Sequence, residues 1–153
     1  MAHPLHPMLV HFPIALLITS VFFDLLGMLV EGKSFYQMGR WLLILGLLGG
    51  VVASLAGASA EDAVVSSGVP SDAVEFHEEL AIITVVVFGV LLVYRWWAGA
   101  AWSARSKTIY LLIAAIGLGL LGATGFYGGD LVYRYGAGVV TTVKGAASPP
   151  QHF

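Results

Sequence analysis

The sequence predicts an all-α protein, a four-helix transmembrane bundle with both termini on the outer side. Three observations predict it. Of the 153 residues, 58% are hydrophobic and only 10% charged, against roughly 25% charged in a soluble domain. Four apolar stretches are each long enough for a bilayer core, which needs about 20 helical residues. Basic residues gather on one side of those stretches. With 7 Lys+Arg against 9 Asp+Glu the chain has no basic patch and no nucleic-acid partner is expected. The absence of cysteine excludes disulfides, thiolate metal sites, iron–sulfur clusters and c-type haem attachment.

The first span runs from about Met8 to Val30. It lacks the basic n-region and small-residue cleavage site of a signal peptide. The second runs from Trp41 to about Ala60, the third over about 77–97 with its apolar run starting at Leu80, and the fourth over about 107–127. Short connections favour an up-down-up-down order within one integral membrane domain spanning 1–153. The segments 31–40 and 95–107 hold Lys33, Arg40, Arg95, Arg105 and Lys107. The positive-inside rule places that side in the cytoplasm of a bacterium and both termini in the periplasm. Trp41, Trp96, Trp97 and Trp102 all fall at this inner boundary, as an aromatic belt does. Leu131–Gly136, after the fourth span, is too short to cross and reads as a C-terminal interfacial segment.

Small residues recur at Gly46, Gly49, Gly50, Ala53 and Gly57 in the second span, and at Gly119, Gly122, Gly125 and Gly128 in the fourth. Such stripes let helices approach closely in a membrane; they also leave room for a flat macrocycle. Asp24 is the one acid inside a span and is expected to face protein or water. Pairing with Arg40 is the structural expectation for it, a water cavity or a proton relay the alternatives.

Three of five histidines fall within nine residues, in His3-Pro-Leu-His6-Pro-Met-Leu-Val-His11-Phe-Pro13, and His77 opens the third span. Topology brings His11, His77 and the segment from Gly128 to Tyr133 to the same outer level. Pro4 and Pro7 are expected to keep the first residues extended, with His3 and His6 on that strand, and Pro13 to fall in the first helical turn. Imidazole is the commonest neutral metal ligand and binds haem iron. His11 and His77 are therefore the candidate metal ligands, with His3, His6, Gly128 and Tyr133 as further cofactor contacts. Each histidine alone also reads as a hydrogen-bonding interfacial residue. Glu78 and Glu79 read either as partners orienting His77 or as a solvated helix start. His152, in a proline-rich tail, is given no role.

HPLHPMLVHFPIALL at 3–17, His77 and GGDLVYRYGAGV at 128–139 resemble the domain-of-unknown-function 2231 family of bacterial membrane proteins. The resemblance covers nearly the whole chain and carries over at His6, His11, Pro13, His77, Gly128, Gly129, Tyr133 and Gly136. It departs at Tyr135, where relatives often carry histidine. It implies redox work beside Rieske or cytochrome modules. The leading expectation is thus a membrane b-type cytochrome, an electron carrier rather than an enzyme in its own right. It would hold haem b near the outer face on His11 and His77 and pass electrons between a periplasmic Rieske or cytochrome c partner and the membrane. The alternatives are a periplasm-facing Zn or Cu binding or transport protein, and a non-catalytic subunit of a redox complex. A homo-oligomer fits any of the three. The polar path a transporter needs is missing apart from Asp24, and no activated nucleophile for hydrolysis is visible.

Overall fold

The computed structural model describes residues 5–98 and 103–138. Five helices, and no strand among the described residues, run in the order α1 (Leu5–Val30), α2 (Lys33–Ala58), α3 (Glu61–Ser66), α4 (Ser71–Ala98) and α5 (Ala104–Tyr133). Each of the four long helices contains a window of mean hydropathy 2.1. With 26 to 30 residues, they extend roughly 39–45 Å at 1.5 Å per residue. The chain is a multi-pass membrane protein.

The helices run further than the sequence pattern suggests. Residues 33–40 are the first two turns of α2, not a loop, and a two-residue turn at Glu31 and Gly32 joins α1 to α2. Glu31 takes the left-handed conformation (φ 52°) that reverses the chain. Leu131–Tyr133 is not a separate interfacial segment but the last turn of α5. That helix is stopped by Gly136, at φ 72°. The Gly136 amide donates to the Val132 carbonyl (3.0 Å) and the Ala137 amide to that of Leu131 (2.9 Å), and Leu131 packs with Ala137. The bond from Gly136 to Val132 is the αL termination, for which a left-handed glycine is suited.

The helices form two hairpins, α1 with α2 and α4 with α5, joined mainly through α2 and α4; α1 and α5 touch little. Glycine sets the closeness of α1 and α2: a Cβ on Gly46 would stand 2.8 Å from the Leu17 side chain. The central core is Leu17, Leu43, Phe88, Leu91, Tyr110 and Ala114. A smaller cluster of Val69, Val74 and Leu131, with Val64 and Val65 of α3, closes the end where α1 and α4 begin.

At the opposite end lies a buried ion pair. Asp24 is 0% and Arg95 7% exposed. An Arg95 Nη1 pairs with Asp24 Oδ2, the same oxygen accepts from the Tyr110 hydroxyl, and Arg95 Nη2 donates to the Tyr36 carbonyl. Asp24 Oδ1 lies against Gly39, where a Cβ would collide with it. One carboxylate and one guanidinium thereby join α1, α2, α4 and α5. This corrects the expected pairing with Arg40, whose guanidinium instead lies over the Trp41 ring at 5.9 Å. Arg95, read from sequence as a loop charge, is a buried residue in the last turn of α4.

Removing one partner of a buried ion pair leaves a bare charge and costs about 3–5 kcal/mol. Asp24→Ala and Arg95→Ala should each destabilise the protein by that order in a denaturant titration. The double variant Asp24→Leu/Arg95→Leu should lose much less than the sum of the two.

Candidate functional site: a histidine pair at one end of the bundle

His6, in the first turn of α1, and His77, in the second turn of α4, face each other across the bundle end. Their ring centroids are 6.2 Å apart and their planes cross at 83°. Pro7 follows His6 inside the helix, where a first-turn residue needs no amide hydrogen. The expected extended strand is therefore not formed at His6. Pro13 stands more than two turns into α1 and packs on Gly49.

His6 Nδ1 lies 2.8 Å from the Ala53 carbonyl of α2. A carbonyl only accepts, so Nδ1 carries the proton and the neutral ring keeps its Nε2 lone pair free of it. His77 is half-buried, and its Nδ1 is shut away from solvent with no hydrogen-bond partner among the described residues. Beneath the pair, the hydroxyls of Thr84 and Thr124 meet at 3.0 Å, linking α4 to α5.

Both rings rest where glycine leaves space. A Cβ on Gly57 would stand 3.1 Å from His6 Cε1, and one on Gly128 2.8 Å from His77 Cε1. Gly119, Gly122 and Gly125, expected to line the interior, instead border open space: a Cβ there meets nothing within 4 Å. Gly125 and Gly122 are rotated roughly 70° and 130° from the Gly117–Gly128 line of α5 at 100° per residue.

Of the candidates read from sequence, His6, His77 and Gly128 come together. His11 does not take the expected place opposite His77. It is exposed, and its Nδ1 donates to the Pro7 carbonyl one turn back at 2.8 Å. Tyr133 is 93% exposed at the end of α5, away from the pair. His3 and His152 lie outside the described residues. Neither Glu78 nor Glu79 bonds the His77 ring among the described residues, where no group of three or more His, Asp or Glu could hold a metal ion. The sequence did carry a signal for His6: it shares one α1 face with Pro13, Leu17, Ser20 and Asp24, whereas His11 lies about 140° from it. The Ala53 carbonyl and Gly57 had no comparable mark.

The chain matches the family model described as "Predicted membrane protein (DUF2231)" over residues 2–141, and it belongs to that family. No curated protein and no solved structure matches it.

Because the His77 ring occupies the space of a Gly128 side chain, Gly128→Val should displace it, at about 1–3 kcal/mol for overpacking. Histidine ring resonances and thermal stability should both change. Gly125→Val, facing open space, should leave both nearly unaltered.

Proposed function

We propose that this protein is a membrane b-type cytochrome that passes single electrons between a redox partner outside the membrane and the membrane itself, with His6 and His77 as axial ligands. The observation that carries the reading is the His6–His77 pair, 6.2 Å between ring centres. Two imidazoles bound to one metal at about 2.0–2.1 Å each put their ring centres roughly 6 Å apart. The donor set fits the group in number as well. A haem iron takes two axial ligands from protein, whereas structural zinc takes four protein ligands and catalytic zinc three.

When bound, haem supplies a one-electron couple whose potential follows its ligands, their hydrogen bonds and burial. The chain's own residues do the rest. The Ala53 carbonyl fixes the His6 tautomer and ring orientation. Gly57 and Gly128 let the rings lie close to α2 and α5. The Nδ1 proton of the exposed His11 is held by the Pro7 carbonyl, so this ring would meet the edge of a bound haem only as an acceptor through Nε2. His6 and His77 would both be used in holding the iron, and no residue is assigned to a substrate position.

The reading places the protein in a bacterial cytoplasmic membrane with the histidine end and both termini in the periplasm, facing a Rieske or cytochrome c partner. Arg95 is neutralised by Asp24, so orientation rests on Lys33, Arg40, Arg105 and Lys107 against Arg134 and Lys144. Cysteine introduced at Ser67 should label from the periplasm, and cysteine at Ser34 should not. The reverse pattern would turn the histidines toward the cytoplasm.

Reduced-minus-oxidised spectra of the detergent-purified protein test the ligands. Wild type should give a b-type α-band; His6→Ala and His77→Ala should each abolish or convert the low-spin spectrum, while His11→Ala should only shift affinity or potential. Stoichiometric Zn or Cu without haem would favour the metal-site alternative. Equal and mild effects from all three variants would remove the ligand assignment.

A further inference from the structure

A groove of about 480 Å³ runs between α1 and α2 near the ion-pair end, on the membrane-facing side of both helices. Phe23, Met38, Trp41 and Leu42 wall it, and Ser34 and Gln37 stand at the end nearest the start of α2. The one α1 hydroxyl in its wall, Thr19, is turned back to the Ala15 carbonyl at 2.7 Å, so the deeper part offers hydrocarbon. Along α2 the polarity therefore falls from Ser34 to Leu42, over about 12 Å of helix. That gradient matches an acyl chain continuing into a headgroup.

Charge selects the headgroup. Topology puts the end of α1, the start of α2, the end of α4 and the start of α5 at one level. Lys33, Arg40, Arg105 and Lys107 stand there against Glu31, while Asp24 and Arg95 cancel each other inside. Lys33 and Arg40, seven residues apart, share one flank of α2 beside the groove, and the Arg40 guanidinium lies over Trp41, a wall residue. We propose that this groove holds one anionic phospholipid, its chain along Phe23, Met38 and Leu42 and its phosphate beside Lys33 and Arg40. The amide of Gln37 and the hydroxyl of Ser34 are placed to bond glycerol and ester oxygens. This site is independent of the haem reading.

The test compares spin-labelled phosphatidylglycerol with spin-labelled phosphatidylcholine on the full-length protein in phosphatidylcholine vesicles. The measured quantity is the motionally restricted fraction of each label. A basic residue near the membrane surface favours an anionic lipid by roughly fivefold, so the wild type should prefer phosphatidylglycerol by about that factor. Lys33→Gln/Arg40→Gln should reduce the preference to parity, and Lys33→Glu alone, at an exposed position, should lower it with helicity intact. Arg105→Gln/Lys107→Gln should keep most of it. Parity in the wild type would overturn the proposal. So would a preference that survives Lys33→Gln/Arg40→Gln, or one lost equally in Arg105→Gln/Lys107→Gln, which would mean diffuse surface charge.

Discussion

The ion pair between Asp24 and Arg95 is the constraint on which the arrangement of helices depends. Helices in a bilayer gain little from hydrophobic exclusion, because lipid tails are as apolar as leucine. Most of the surface of this bundle is interchangeable with lipid in that sense. A carboxylate and a guanidinium within the protein are not interchangeable with anything. Each meets the other, the guanidinium also donates to the Tyr36 carbonyl, and the carboxylate also accepts from the Tyr110 hydroxyl. These contacts tie α1, α2, α4 and α5 to one another at a single point. Glycine at position 39 is part of the same requirement, since any side chain there would displace the carboxylate.

Fixing one end this way has a consequence at the other. His6 lies 18 residues before Asp24 on α1, roughly 27 Å along the axis, and shares its helix face. His77 lies 18 residues before Arg95 on α4 and shares the Arg95 face in the same manner. With Asp24 locked to Arg95 and both helices packed on α2, His6 and His77 come to the same level and the same side at the other end. The ion pair thus acts as a register pin for the imidazoles, across the whole thickness of the membrane. The site itself needs little more: a carbonyl to set a tautomer, and two glycines that leave space for rings.

The fold class, the four spans and the gathering of histidines at one end were legible in the sequence because hydropathy and loop charge are averages over many residues. Helix ends were less legible. The run from Lys33 to Arg40 is polar, yet it belongs to α2, since a span of 26 residues outreaches the hydrocarbon and its polar turns stand in the headgroups. The partner of Asp24 was misplaced for the same reason. Arg95 sits beside Trp96 and Trp97 and looks like a boundary charge, while its side chain turns inward. Pro4 and Pro7 suggest an extended start to the chain, which in the sequence favours His11 over His6. A proline in the first turn of a helix is tolerated, so α1 reaches back to include His6. The Ala53 carbonyl left no trace in the sequence, because any residue type has one.

The most direct measurement of the proposed role of the pair is the electron paramagnetic resonance spectrum of the oxidised, detergent-purified protein. Two axial imidazoles with planes near 83° apart predict a strongly anisotropic low-spin ferric signal, lost in His6→Ala and in His77→Ala alike. A high-spin signal in the wild type, or a low-spin signal that persists without His6, would contradict it.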